Sequence, residues 1–197
     1  MPAPDVKRRF LAAITEWLVT LPHDLKILYE AAADQDLDRQ AREIAVGAII
    51  STIAPGHLPG VPPGDFVNHC DGTIVVRMAL HNVVAKGGED FEAFQERFSE
   101  FFETLNDDIK LCEAALGDLF QWLSNKAARL QKLEYKGKKV AEYLDDLDAS
   151  EFLYQEGLEF QTEYEVDEDV LNDRLKKSGT VLEALEKRRH ADDRTTQ

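Results

Sequence analysis

The segment from Ile44 to Asp71 constrains the fold more than any other part of this sequence. It has no Asp, Glu, Lys or Arg between Glu43 and Asp65, although charged residues make up 31% of the chain. An apolar helix is predicted up to Pro55, followed by a proline-rich turn and then a second helix. Such an uncharged hairpin must be covered by other elements, so we expect it at the centre of the fold.

The length and the net charge of the chain limit its domain organisation and the partners that it can bind. A chain of 197 residues is long enough for one large domain, or for a domain with an appendage. The net charge of −15 disfavours binding to nucleic acid and to anionic membranes, since both require clusters of Lys and Arg. Residues 140–197 hold 17 acidic and 7 basic side chains. This acidic last third is compatible with a basic protein partner or with a solvated surface.

Cysteine content and hydrophobicity point to a cytoplasmic protein. Two cysteines, Cys70 and Cys112, do not make a disulfide framework, and no signal peptide is recognised at the N-terminus. The uncharged segment has the length of a membrane span, but its prolines and glycines interrupt it, so no span is expected. Peripheral membrane association through this hairpin is an alternative that the net charge disfavours.

Apolar residues recur at helical spacing along the chain, which predicts an all-α fold. The first part is predicted to be a helical hairpin core over residues 1–88. Pro22 is expected to end or kink the first helix, Asp36 or Asp38 to cap the third, and Gly87 to end the fourth. The four predicted helices cover about residues 5–20, 24–33, 38–54 and 65–86.

A long amphipathic helix is predicted over residues 89–133, where apolar side chains recur every three or four positions. We expect it to be unbroken or slightly bent, the alternative being two helices with a break near residues 106–108. Such a helix also suits self-association.

An acidic helical region is predicted over residues 134–190, packed back against the long helix. It begins with a basic turn around Gly137, continues as a helix broken or capped near Gly157, and includes an extended piece over residues 160–166. The tail, residues 191–197, is expected to be disordered.

One group of side chains has the chemistry of metal ligands. It comprises His57, Asp65, His69, Cys70 and Asp71. Zinc accepts His, Cys and Asp ligands, so zinc or another divalent metal is a candidate cofactor. The spacing matches no established zinc pattern, and the alternative is a helix-capping Asp65 beside polar residues of a turn. The leading expectation is therefore that the protein holds no cofactor.

Two further groups are candidates for contact with a partner protein. Phe101 and Phe102 belong to a phenylalanine-rich stretch that is mostly expected in the core. Because the two are adjacent and cannot both face inward equally, one of them is expected to project towards a partner or a groove. Asp145, Asp146 and Asp148 belong to the densest acidic run of the chain. A basic partner would bind there, unless the run is only a solvated helix end.

Residues 24–84 resemble the YkvA-like family of bacterial proteins, whose function is unknown. The resemblance lies in the helix AREIAVGAIISTI, the turn APGHLP with Pro62 or Pro63 after it, and Asp71-Gly72 before TIVVRMAL. His57 stands where the family has an Asp, and Gly72 where it has the second Asp of a pair. The resemblance implies an all-α hairpin core and a bacterial origin, and it implies no established activity.

The function predicted from these features is non-catalytic. There is no phosphate-binding glycine loop, paired CxxC, HExxH or nucleophile elbow in the sequence. We expect a cytoplasmic regulatory or adaptor protein that acts through a protein partner or through self-association. The alternative is a metal-binding protein or metal-dependent enzyme that uses the group around His57 and His69.

Overall fold

The computed structural model describes residues 3–54, 69–89, 91–164, 166, 169, 171 and 180–195. The predicted all-α class is confirmed, since helices account for nearly all of the regular structure in these ranges. The helices are α1 Pro4–Ala33, α2 Arg39–Ile53, α3 Cys70–Lys86, α4 Phe91–Arg97, α5 Ser99–Leu116, α6 Asp118–Ala127, α7 Glu142–Asp145, α8 Leu147–Glu163 and α9 Thr180–Thr195. A 3-10 helix covers Leu130–Lys132, and strands β1 Glu134–Tyr135 and β2 Lys138–Lys139 form an antiparallel hairpin.

Helix α3 lies at the centre of the molecule. Residues 73–80 are buried without interruption, so no side of the helix reaches solvent over two turns. Helices α1, α2, α5, α6 and α9 all contact it. Helix α2 is also buried, over residues 44–50, in keeping with the absence of charge there. In the described ranges, no helix is both long and apolar enough to cross a membrane.

Helix α1 passes through Pro22 without ending, so the prediction of two separate helices at this point is wrong. Leu21 and Leu25 flank the proline and are fully buried in one hydrophobic core. Burial of apolar side chains on both sides of Pro22 outweighs the loss of one helical hydrogen bond.

The long helix predicted over residues 89–133 is also wrong, because the structure has three helices there. The chain turns at Phe98, with φ −128° and ψ 36°, and at Gly117, with φ 53° and ψ −121°. Residues 106–108, the alternative break, are helical. Tertiary packing explains the turns: apolar side chains such as Leu105 and Leu123 are buried against the rest of this chain, which a straight helix would prevent.

The acidic region departs from the prediction at Gly157 and after it. Helix α8 continues through Gly157 to Glu163, so the predicted break is absent and the predicted extended piece is mostly helical. Gly157 is required by packing, since a Cβ there would lie 1.8 Å from the hydroxyl of Tyr29. The basic turn around Gly137 is confirmed as the β1–β2 hairpin. Residues 191–195, predicted to be disordered, belong to α9.

Candidate functional site

A buried arginine connects three helices. Arg77 of α3 is only 6% exposed, and its guanidinium Nη2 lies 3.0 Å from Oδ2 of Asp24 on α1. Its Nη1 lies 3.4 Å from Oδ2 of Asp108 on α5. The guanidinium carbon also sits 5.2 Å from the ring centroid of Trp17 and 4.4 Å from that of Phe101. One cation is thus shared by two carboxylates and enclosed by two aromatic rings.

The environment of this cluster disfavours ionised carboxylates. Burial raises the pKa of Asp24 to about 7, although Arg77 opposes the shift. Burial likewise raises the pKa of Asp108 to about 6, again against the effect of Arg77. A third carboxylate, Glu16, adds to both increases in pKa. Because the guanidinium is enclosed, the arrangement is suited to holding α1, α3 and α5 together rather than to binding a substrate.

The predicted metal ligands are only partly described, since His57 and Asp65 lie outside the described ranges. The ring of His69 packs edge-on against Phe160 and Tyr164, with centroids 5.7 and 5.2 Å apart. Cys70 is buried at the start of α3. Across the residues that the structure describes, no three His, Cys, Asp or Glu side chains are grouped as metal ligands.

Asp71, the remaining predicted ligand, is engaged by two cationic side chains. Its carboxylate accepts a hydrogen bond of 3.0 Å from Nζ of Lys126 on α6. Nε of Arg188 on α9 lies 3.5 Å from the same oxygen. Asp71 therefore joins α3 to α6 and α9 through charge.

Phe101 and Phe102 are both buried, so the expectation that one of them projects towards a partner is wrong. The turn at Phe98 folds α4 back against α5, which covers Phe102, whereas Phe101 is covered by α3. Phe101 lies over Arg77, and Phe102 contacts the ring of Phe91 with centroids 5.6 Å apart.

Two carboxylates of the predicted acidic run make contacts within this chain, one in an ion pair and one as a helix N-cap. Asp145 receives two hydrogen bonds of 2.7 Å from Arg39, which lower its pKa. Asp146 is the N-cap of α8: it accepts bonds from the backbone N–H groups of residues 148 and 149 and from Lys138 Nζ, which lower its pKa. These two carboxylates fasten the start of α8, whereas Asp148 lies on its exposed side.

Helix α8 has an exposed apolar stripe that sequence reasoning missed. Leu147, Tyr154 and Leu158 are 81%, 48% and 38% exposed. At about 100° per residue they fall within about 40° of one another around the helix axis. The buried side of α8, which contains Ala149, Leu153 and Gly157, is centred about 120° from this stripe, and the Tyr154 ring at its edge contacts Tyr29 with centroids 5.5 Å apart.

The buried side of α8 is held firmly, so the stripe has a defined orientation. The hydroxyl of Tyr29 donates a hydrogen bond of 2.9 Å to the carbonyl oxygen of Leu153. The absence of a side chain at Gly157 lets the Tyr29 ring approach the helix. The hydroxyl of Tyr135 bonds to the carboxylate of Glu156.

Comparison of this chain with family models, with curated proteins and with solved structures gave no match. The YkvA-like resemblance of residues 24–84 therefore stays a prediction. Function is inferred below from the geometry of the molecule.

Proposed function

We propose that this chain is a non-catalytic regulatory or adaptor protein of the bacterial cytoplasm, and that it binds another protein through the apolar stripe of α8, Leu147, Tyr154 and Leu158. The observation that carries this proposal is the concentration of exposed apolar side chains on one helix. Of six large apolar side chains exposed in the described part of the chain, four belong to α8. The fourth, Phe152, lies at the far edge of its exposed side.

The size of the stripe favours a transient interaction. Burying one leucine side chain completely contributes about 1.5–3 kcal/mol. Three partly exposed side chains therefore contribute several kcal/mol, against a binding free energy of about −8 kcal/mol for a dissociation constant of 1 μM. Polar contacts around the stripe must supply the remainder and offset the cost of association. Such a surface suits a partner that is bound and released.

The other functions considered from sequence have less support. Self-association through the long helix is disfavoured, since residues such as Phe91, Leu105 and Leu123 are buried within the chain itself. A metal site around His57 and His69 could use Asp71 only by drawing it away from Lys126 and Arg188. Metal analysis of the purified protein tests this alternative directly.

Site-specific photo-crosslinking tests the proposed binding surface. A photoreactive amino acid is placed at position 147 or 158, and at position 84 as a control, where Val84 is 37% exposed on α3. We expect one defined cross-linked protein, formed in the host cell from 147 and 158 and not from 84. Absence of any product from the two α8 positions, or equal products from all three, would overturn the proposal.

A further inference from the structure

The exposed side of α8 is acidic as well as apolar. The helix contains five carboxylate side chains and no Lys, Arg or His. Glu151 lies next to the apolar stripe, within about 40° of Leu147 around the axis. Asp148, Glu159 and Glu163 continue the same exposed side. Together with Glu151 they form an acidic strip, which begins beside the apolar stripe at Glu151 and extends through Asp148 and Glu159 to Glu163, about 160° from Leu147 around the axis.

The carboxylates of this strip differ from neighbouring carboxylates in having no salt bridge among the described residues. Asp145, Asp146 and Glu156 are bound to Arg39, Lys138 and Tyr135 of the same chain. In contrast, the structure gives the four carboxylates of the acidic strip no salt bridge within the described ranges. Within α8, the carboxylates without a salt bridge to the described part of the chain therefore lie on the exposed side of the helix, where a partner's cations would be attracted to them.

We infer that the partner of α8 is a basic amphipathic helix of another protein, with apolar side chains at helical spacing and Lys or Arg along one flank. The inference rests on the proposed function. A second copy of this chain is a poorer occupant, because two α8 helices would bring acidic strips of like charge together. An anionic membrane would be repelled by the same strip. A basic helix fits both the apolar stripe and the charge beside it.

Two designed helical peptides test the inference on the full chain. They share leucines at positions that match the stripe, but one has lysine along its flank and the other has glutamate. Binding is measured by fluorescence anisotropy at low and at physiological ionic strength. We expect the basic peptide to bind at least about tenfold more tightly than the acidic one, and to weaken as salt screens the charges.

Two pairs of variants separate charge from apolar contact. E151Q/E159Q is expected to lower the affinity of the basic peptide several-fold and to make its binding less dependent on salt. The matched control, E92Q/E96Q on α4, removes two exposed carboxylates elsewhere and is expected to change neither. L147A/L158A is expected to lower the affinity of the basic peptide about tenfold. Its urea unfolding midpoint should stay unchanged, which excludes misfolding as the cause.

The outcomes distinguish the two proposals. If both peptides bind equally and L147A/L158A weakens both, the basic partner is overturned and the apolar binding surface stands. If L147A/L158A leaves the binding of both peptides unchanged, or if neither peptide binds, the inference and its basis in the α8 stripe fail together.

Discussion

The hydroxyl of Tyr164 donates a hydrogen bond of 2.6 Å to the carbonyl oxygen of Leu18. In a regular helix this carbonyl would accept from the N–H of residue 22, which is a proline and has no N–H. Tyr164 follows the last residue of α8, so a contact across the core satisfies the acceptor that Pro22 leaves open. Helix α1 can therefore include the proline and remain buried.

Removal of the Tyr164 hydroxyl tests this relationship. Y164F should destabilise the fold by about 1–3 kcal/mol, because the Leu18 carbonyl then lacks its donor in a desolvated position. In a P22A background the backbone N–H of residue 22 is restored, so the same substitution should cost clearly less. Urea unfolding of the four proteins measures this coupling. An equal cost of Y164F in both backgrounds would contradict the explanation.

Arg77 is expected to be the most sensitive charged residue of the interior. R77M leaves Asp24 and Asp108 without their shared cation, so the free energy of unfolding at pH 8 should fall by about 3–5 kcal/mol. The penalty should shrink in a D24N/D108N background, where no buried carboxylate needs compensation. R8M, which removes an exposed pair with Asp5, should not change stability measurably. A full penalty in the D24N/D108N background would show that Arg77 acts through packing alone.

The raised pKa of Asp24 predicts a specific pH dependence. Its ordinary pKa of 3.8 applies to the unfolded chain, and burial raises the pKa to about 7 in the fold. Between these values the folded state holds a proton that the unfolded state has released. Stability from this group is therefore present at about pH 4 and is lost as the pH rises towards about 7.

D24N removes this titration. The difference in unfolding free energy between the native chain and D24N therefore measures the contribution of Asp24 titration to stability. We expect the native chain to lose stability relative to D24N from about pH 4 to about pH 7, by up to about 4 kcal/mol at about 1.4 kcal/mol per pKa unit. Unfolding at a series of pH values measures the difference. A difference that increases with pH would mean that the attraction of Arg77 outweighs burial.

Substitution of glycine by alanine should have opposite effects on the stability of the fold at two positions. G157A places a Cβ 1.8 Å from the hydroxyl of Tyr29, so the ring must move and the fold should lose about 1–3 kcal/mol. G72A in α3 meets nothing within 4 Å and should stabilise by up to about 1 kcal/mol through helix propensity. Thermal unfolding compares them. A neutral G157A would indicate that the contact between α8 and Tyr29 yields easily.

The candidate site was only partly accessible from sequence. The acidic run was predicted to contact a partner, but Asp145 and Asp146 bind Arg39 and Lys138 of the same chain. The ion pair of Arg39 with Asp145, which are 106 residues apart, leaves no periodic signal in the sequence. The nearby stripe on α8 was overlooked because its apolar spacing looks the same whether the residues are buried or exposed.

The helical class, the burial of residues 44–50, the end of α3 before Gly87 and Gly88, and the turn at Gly137 could all be predicted from the sequence, because each depends on local periodicity or on glycine conformation. Whether a long helical pattern continues or turns depends instead on packing against the rest of the fold. Pro22 stays inside α1 because both of its flanks are buried and Tyr164 supplies a donor, whereas the chain turns at Phe98 and Gly117 so that apolar side chains reach the core. The burial of many side chains across the fold outweighs the preference of any single residue for continuing or ending a helix.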